Sequence, residues 1–457
     1  MNEDLIAKYN VPTPRYTSYP PANYFHDQFT NEDFEKAVIA SNETQPQNLS
    51  FYIHIPFCRH LCHYCGCNSY PMAKEEVIAA YIEALKKEIK KVLPLINKDR
   101  KISQIHYGGG SPSSIPLHYL QEINELLLSQ FSCTDTPEIA IECHPGYLNE
   151  NGWVELIKAG FNRCSIGIQD FNSKVLKGVN RRSSLLQMET IFGLLRAYNV
   201  SINLDFIYGL PYQTVQSFEE TIKKAASLKP DRLVTFSYAH VPWVNKAMLI
   251  LEKNGLPSPQ EKSGMYNAAK SILTEKGYQP IGLDHFVLPN DDLNVALKSG
   301  QLHRNFQGYC TRKTTGQVYA FGVTGISQLS MAYSQNTKNI PEYIQKMNDG
   351  EFAIIKGYTL NKEEQIAKEV ITTLMCNDRL NWKELSSHIG VDEADIKHAI
   401  SYKEDKLAEF ANDGIIIYSP EEIRITPEGS LFVRNVAASF DPLMKNGDNT
   451  KRFSKPV

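Results

Sequence analysis

The 457-residue chain contains no run of about 18 uninterrupted apolar residues, the length a membrane-spanning helix needs. Its first residues, Met1-Asn2-Glu3-Asp4, are acidic where a secretory or organellar signal carries basic ones. A soluble cytoplasmic protein with no membrane contact is expected. Net charge is nearly absent too: 48 Lys and Arg stand against 51 Asp and Glu, a balance of −3. That balance supplies no electrostatic grip on nucleic acid or anionic lipid, so neither is an expected partner. Cysteine is sparse, with nine residues, far below the density of a disulfide-stapled secreted domain. No internal repeat and no low-complexity tract is present. What remains is ordinary globular usage, 42% apolar and 22% charged, in a chain long enough for roughly three domain equivalents or one large α/β barrel with attachments.

Short β-branched or aromatic runs recur at Phe51–Ile55, Ile102–Tyr107, Glu138–Glu142, Cys164–Ile168, Ile202–Tyr208 and Arg232–Tyr238. Between them, Lys74–Leu93, Leu117–Phe131, Asn151–Ala159, Leu185–Tyr198 and Val215–Leu228 carry apolar residues at helical spacing. The alternation predicts a parallel sheet with right-handed crossovers. Cys58, Gly108 to Gly110, Glu142, Gln169 and Asp205 come at or near the ends of successive strands, on one rim, which is the active-site face of a (β/α) barrel. A doubly wound sheet would gather them at one switch point instead.

Two pieces stand outside this rhythm. Residues 1–48 include the Pro- and Tyr-rich segment Val11 to Pro21, too polar for a core strand, and are expected to form an arm that wraps the barrel. The barrel itself is expected over 49–350. From 357 to 457 the pattern is helical (Lys362–Met375, Trp382–His388, Ala394–Tyr402), then two short β-like runs (Gly414–Tyr418, Glu422–Thr426) and a last helix from Pro427, a winged-helix-like order. Residues 361–457 hold 13 Lys and Arg against 17 Asp and Glu, a net −4, so this module is read as a structural cover or substrate lid, not a duplex binder. The fold class is thus α/β: a partial (β/α)6-type barrel with an N-terminal arm and a mainly helical C-terminal domain.

The nine cysteines are unevenly placed. Cys58, Cys62, Cys65 and Cys67 fall within ten residues, while Cys133, Cys143, Cys164, Cys310 and Cys376 are scattered. Three residues separate Cys58 from Cys62 and two separate Cys62 from Cys65, a spacing that lets three thiolates wrap one corner of a cubane iron–sulfur cluster and leave the fourth iron open. Structural zinc is the competing reading, with Cys67, His60 or His63 as the fourth ligand; no second knuckle accompanies the loop. Tyr107-Gly-Gly-Gly-Ser-Pro-Ser113 is either a tight turn or a stretch of backbone exposed to a ligand. Glu142, Gln169 and Asp205 suit the hydroxyl and ammonium groups of a nucleoside amino acid, or they are barrel polar groups satisfied locally. Asp205, inside an apolar strand, is expected to have a dedicated partner.

Together these features resemble the radical S-adenosylmethionine (SAM) superfamily. The loop followed by Gly66-Cys67-Asn68, the preceding Tyr52, His54 and Pro56-Phe57, the arm Pro14-Arg-Tyr-Thr-Ser-Tyr-Pro20, and His303-Arg-Asn-Phe-Gln-Gly-Tyr309 look like the oxygen-independent coproporphyrinogen III oxidase (dehydrogenase) family within it. So do Gln169-Asp-Phe171, Asn203-Leu-Asp-Phe-Ile-Tyr-Gly-Leu-Pro211 and Arg434-Asn435. The resemblance spans nearly the whole chain. It implies a [4Fe-4S] cluster on Cys58, Cys62 and Cys65, with SAM contacts at Tyr52, Gly109, Glu142 and Ile326. It also implies a second SAM at Tyr64, Gly110, Ser111, Gln169, Arg181, Asp205 and Ala239, and catalytic roles for Glu142 and Gln307. Cys67 would not ligate iron. The chemistry implied is one-electron cleavage of SAM, hydrogen abstraction from the β-carbon of a propionate, and loss of CO₂ to leave a vinyl group, on rings A and B of coproporphyrinogen III, giving protoporphyrinogen IX in haem biosynthesis. A low-potential electron donor such as flavodoxin or ferredoxin, and a monomeric state, are further implications.

The sequence departs from the family in small ways. Ser111 stands where Thr is commoner, Tyr64 where Phe is frequent, and Cys310 where Thr is familiar. Arg15, Arg181 and Arg304 are candidates to meet substrate carboxylates, since Arg pairs with them bidentately. Two rivals remain: a haem chaperone of the same superfamily, disfavoured by Gly66-Cys67 and the Tyr-Thr-Ser-Tyr-Pro arm, and a zinc-stabilised nucleic-acid regulator, disfavoured by the acidic C-terminal module.

Overall fold

The computed structural model describes residues 3–400, 402–445 and 453–454. The end of the expected C-terminal segment, from 446, lies outside the described residues apart from 453 and 454. The six expected strands form β1 (Leu49–Ile55), β2 (Ile102–Gly109), β3 (Cys133–Cys143), β4 (Arg163–Gln169), β5 (Ser201–Tyr208) and β6 (Arg232–Ser237). They pair in parallel and in chain order. Their crossovers carry α1 (Glu75–Val92), α2 (Leu117–Leu128), α3 (Glu150–Lys158), α4 (Met188–Ala197) and α5 (Val215–Ser227). Because the order never reverses, the crossovers stay on one face of the sheet and no switch point arises.

One parallel strand escaped the sequence pattern. β7 (Val318–Phe321) pairs with β1 on the edge opposite β2. Its four residues are too few to show a period, and only the short helix Arg312–Thr315 leads into it. Among the described residues, antiparallel strands then extend the sheet past β7 and past β6, to twelve, and its two ends do not pair. The barrel is therefore partial.

Side chains alternate across β1 to β6 with opposite chemistry on the two faces. Phe51, Ile53, Ile105, Tyr107, Ile141, Ile166, Leu204 and Phe206 are fully buried under the helices. Burial of each such side chain is worth about 1.5–3 kcal/mol. The other face carries Tyr52, His54, Gln104, His106, Glu142, Ser165 and Asp205, and in β5 intermediate and buried residues alternate strictly. A closed barrel fills its interior with layers of branched aliphatics; polar residues here leave the concave face open as a chamber. α1 shows the complementary pattern, burying Ile78, Ile82, Leu85 and Ile89 at spacings of four and three, with Glu75 and Glu76 in its first turn and Lys90 and Lys91 in its last.

The C-terminal module is mainly helical (Lys362–Asn377, Trp382–Ile389, Glu393–Ala399, Glu404–Asn412) with a three-stranded sheet of Arg379–Asn381, Glu422–Ile425 and Ile416–Tyr418. The helix over 404–412 was not expected; it buries only Leu407 and Phe410, too few to print a helical period. The arm joins this module more deeply than a polar wrapping segment would. Tyr9, Tyr16, Tyr19 and Phe25 belong to one buried cluster with Leu374, Trp382, Phe410, Phe432 and Phe440. Tyr16 and Tyr19 donate from their hydroxyls to the two oxygens of the fully buried Asp441, at 2.9 and 3.0 Å.

Candidate active site

β1 ends at Ile55, and Phe57-Cys58 then pairs in parallel with Tyr70-Pro71, closing the cysteine loop at its base. From outside, the loop is held at three carbonyl or amide groups: His63 N donates to Val179 O (3.0 Å), Asn180 Nδ2 to Leu61 O (2.9 Å) and Asn245 Nδ2 to Cys65 O (2.9 Å). Cys58, Cys62 and Cys65 line one cavity of about 170 Å³. Burial and the neighbouring Cys65 and Cys62 push the Cys58 thiol up to about 12, while a hydrogen bond from Cys67 draws Cys65 down to about 6. Crowded thiols of this kind ionise together only around a positive centre, and a cubane cluster is one. Of the other zinc-ligand candidates, His60 Nδ1 is engaged with the Tyr147 hydroxyl at 2.9 Å. Among the described residues, no three His, Cys, Asp or Glu side chains form a group that could hold a single metal ion.

The glycine run at the end of β2 is packed against this loop. Gly109 has φ +113°, and a Cβ there would lie 2.6 Å from the His54 ring. A Cβ on Gly110 would lie 2.6 Å from the Pro56 carbonyl oxygen, at the base of the loop. Gly110 N donates to Ile55 O (2.8 Å) and Ser111 N to Phe57 O (3.1 Å). The glycines Gly109 and Gly110 bring bare backbone to the cavity wall. Tyr52 and Glu142 meet beside Gly108, whose Cβ would approach the Tyr52 hydroxyl to 3.0 Å and Glu142 Oε1 to 2.6 Å. Burial pushes the Tyr52 phenol well up and pulls the His54 imidazole down to about 4, so both are neutral near pH 7.

Gln169 closes β4 in a left-handed conformation, φ +69°, a strain of about 1–3 kcal/mol for a residue other than glycine. Arg181 lies beside it, donating Nη1 to the Tyr64 hydroxyl (3.1 Å) and to Cys62 Sγ (3.6 Å), and Nη2 to Gly167 O. Asp205 sits on the chamber face of β5, not within its apolar side. Its partner is Ser165, whose hydroxyl donates to Oδ2 at 2.8 Å, and burial raises its carboxyl to about 6. Buried Ser111 Oγ, Gln169 Oε1 and Arg181 Nε have no partner among the described residues. Ser111, Gln169 and Arg181 all line the small cavity, so it holds unmet hydrogen-bonding capacity of the kind a polar ligand satisfies. The donor set fits a three-thiolate cluster, and the wall around it fits a nucleoside amino acid.

Tyr64, Cys65, Cys67, Glu142, Ser165, Gln169 and Asp205 also line a second, larger cavity of about 890 Å³, the concave interior of the barrel. Ala239 and Gln307 line that chamber only, and Tyr52 and Ile326 line neither. Ile326 begins the antiparallel strand beside β7 and packs against the cluster shared by arm and C-terminal module. The chamber floor is charge-paired. Against the cost of burial, Arg163 (Nε to Oε2, 2.5 Å) helps hold Glu138 down to about 2; Gln104 donates to its other oxygen, and Arg232 pairs with Asp291. These floor residues and Ser165 were missed, although polar side chains at alternate positions, such as Gln104 and His106 in β2 and Asn203 and Asp205 in β5, are their signal. Arm residues Thr13, Arg15 and Ala22, with Phe453 and Ser454, cover the mouth.

The radical SAM superfamily profile matches residues 52–225, and a profile described as the HemN C-terminal domain matches 360–432. The chain is 36% identical to the oxygen-independent coproporphyrinogen III oxidase of Synechocystis sp., over 99% of this chain and 97% of that one. It is 38% identical to the protein of the same name from Escherichia coli K12, over 99% and 98% of the two chains. The solved Escherichia coli structure described as coproporphyrinogen III oxidase (HemN), a radical SAM enzyme, superposes with a TM-score of 0.87 at 37% identity, covering 97% of this chain and 99% of that one.

Proposed function

Since the chain belongs to the family of oxygen-independent coproporphyrinogen III oxidases, we propose that it decarboxylates the ring A and B propionates of coproporphyrinogen III oxidatively to vinyl groups, giving protoporphyrinogen IX. The observation that carries this reading is a small cavity lined by three cysteines that opens, through Tyr64, Glu142, Gln169 and Asp205, into a chamber of about 890 Å³. That volume lies in the range of pockets that enclose a large organic ligand. Cys58, Cys62 and Cys65 would hold a [4Fe-4S] cluster and the residues around them SAM. When bound, these cofactors supply one-electron cleavage of a carbon–sulfur bond and, from it, hydrogen-atom abstraction.

The protein's own residues bind, orient and exclude water. Gly109, Glu142 and Tyr52, with Ile326, are the contacts we assign to the first SAM; the packing of Ile326 outside both cavities makes it the weakest of the four. Tyr64, Gly110, Ser111, Gln169, Arg181, Asp205 and Ala239 are assigned to a second SAM, supported by the unpartnered atoms of Ser111, Gln169 and Arg181. Glu142 faces both cavities as an acceptor for an ammonium or hydroxyl group. Gln307 Nε2, buried and without a partner among the described residues, is offered to the substrate from the chamber wall. The arm and the C-terminal module shield the chamber, which a radical reaction requires. We assign the protein to the cytoplasm as a monomer, reduced by a low-potential carrier of the flavodoxin or ferredoxin kind; no helix among the described residues is long and apolar enough to cross a membrane.

The test is one anaerobic incubation of iron- and sulfide-loaded protein with SAM, a reductant and coproporphyrinogen III, with 5′-deoxyadenosine and porphyrin masses followed together. Loss of two CO₂ per tetrapyrrole alongside 5′-deoxyadenosine is expected. Nucleoside release without a porphyrin product would exclude this substrate, and haem binding with neither product would replace the reading by a haem-carrier role.

A further inference from the structure

Arg15, Arg181 and Arg304 are the arginines the sequence offers to substrate carboxylates, and the fold separates them. Arg181 is committed beside the cysteine loop to Tyr64, Cys62 and Gly167, and lines the small cavity only. Arg304 lies behind the chamber wall, its guanidinium 5.0 Å from the centre of the Tyr309 ring. Arg15 reaches the chamber. Three cationic side chains, of Arg15, Arg163 and Arg232, line it among the described residues, and two are neutralised, Arg163 by Glu138 and Arg232 by Asp291. Among the described residues no carboxylate lies within ion-pair distance of Arg15 and its guanidinium makes no hydrogen bond; nearby Asp284 is engaged with His285 at 2.6 Å.

The backbone that carries Arg15 is fixed with unusual care. Arg434 donates Nη2 to Thr13 O and Nε to Pro14 O (3.1 Å), and Arg304 donates Nη1 to Arg15 O (3.1 Å). Three successive carbonyls are thus each taken by a buried guanidinium, so the segment is held in one conformation before any ligand arrives. Charge is also graded along the chamber. Glu142 and Asp205 face it from the wall shared with the small cavity, whereas Arg15 lies in the part that cavity does not share.

We propose that Arg15 anchors, by a bidentate pair, a substrate carboxylate that is retained rather than removed, with Arg304 and Arg434 as its positioning residues. Arg15 is exposed and faces the chamber with its guanidinium unpaired among the described residues, so an anion can reach it there, and the acidic groups on the wall shared with the small cavity turn the same substrate so that its other groups face the cysteine loop. The assignment rests on the tetrapyrrole reading above. Its test uses Arg15→Gln and Arg15→Lys in the full-length, cluster-loaded protein. For Arg15→Gln, KM for coproporphyrinogen III rises by about tenfold or more, equivalent to about 1.4 kcal/mol, with iron content and SAM affinity unchanged, and Arg15→Lys recovers part of the loss. In parallel, fluorescence quenching measures binding of coproporphyrin III and of its tetramethyl ester. The wild type prefers the free acid and Arg15→Gln loses most of that preference. A KM within twofold of wild type with the acid preference intact would overturn the anchor, as would loss of iron in both variants, which marks a structural role. A wild type that binds neither porphyrin overturns the tetrapyrrole reading itself, a result distinct from both.

Discussion

A methyl group on Gly110 would meet the Pro56 carbonyl oxygen at 2.6 Å, a backbone atom at the base of the cysteine loop that cannot swing aside. Gly110→Ala is therefore expected to shift the loop against the glycine run and lower SAM affinity by about tenfold or more. Equilibrium dialysis against labelled SAM checks this; affinity within twofold of wild type would show that the run is a turn and not a ligand cradle. Glu88 makes a second prediction at this scale. Burial pushes its carboxyl up to about 7 from an ordinary 4.5, although Tyr343, Gly322 N and Asn336 donate to it at 2.6, 2.8 and 2.6 Å. A raised carboxyl means that between pH 4.5 and 7 the folded chain keeps a proton the unfolded chain has lost, so stability falls as pH rises through that window. The drop is about 3 kcal/mol. Glu88→Gln removes it, and urea midpoints of both proteins at pH 5 and pH 8 measure the difference; parallel pH profiles would disprove the assignment.

The site's residues were unevenly legible. Cysteine spacing and a triple glycine are visible in a string because their chemistry depends on near neighbours. The left-handed φ of Gln169 is not, since sequence announces that conformation through glycine or asparagine, and here strain is imposed by the residues around it. Ile326 carried only the family resemblance and no local signal, and its side chain packs toward the second core.

At the scale of elements, the barrel strands and their helices were legible because each buries one face with a period of two or of 3.6, and the observed ends of β1 to β6 and α1 to α5 fall within three residues of the pattern, except that β3 begins five residues earlier, at Cys133. β7 was not, being only four residues long. The arm was legible as a separate element but not as part of a core, because Tyr16 and Tyr19 look amphipathic until Asp441 is seen beneath them. Asp441 is fully buried and accepts from both hydroxyls. Asp441→Ala strands two buried phenols, at about 1–3 kcal/mol each, a loss large enough to free the arm but not to unfold the barrel. Chymotryptic cleavage after Tyr16 is expected to speed up at least tenfold with the far-ultraviolet spectrum unchanged; Tyr19, followed by Pro20, is not a cleavage site. Cleavage at the wild-type rate would mean that the apolar contacts of the arm suffice without Asp441.

Across the whole molecule, two large buried cores stand out among the described residues. One lies between the sheet and its crossover helices; the other is assembled from the arm, Tyr333 of the extended sheet and the C-terminal module. We take residues 49–350 as the catalytic barrel and 357–457 as the cover, yet the strand Ile354–Thr359 binds them into one sheet and also meets the arm, through the bridge between His26 and Gly357. Removing residues from 361 onward would leave the barrel's own core intact while stripping the module side of the second, where Leu374, Trp382, Phe410, Phe432 and Phe440 cover the arm's tyrosines. Each uncovered aromatic loses about 1.5–3 kcal/mol of burial, and Thr13 and Pro14 lose the carbonyl contacts of Arg434. The truncated chain is expected to form the sheet and bind iron at the cysteine loop, but with its arm open to proteases and its chamber open to water. Iron content, limited proteolysis and 5′-deoxyadenosine released per decarboxylation read these three properties separately. The expected result is near-normal iron, rapid loss of residues before 30, and nucleoside release uncoupled from product. A truncated chain with a protected arm and tight coupling would show that the barrel closes its own mouth.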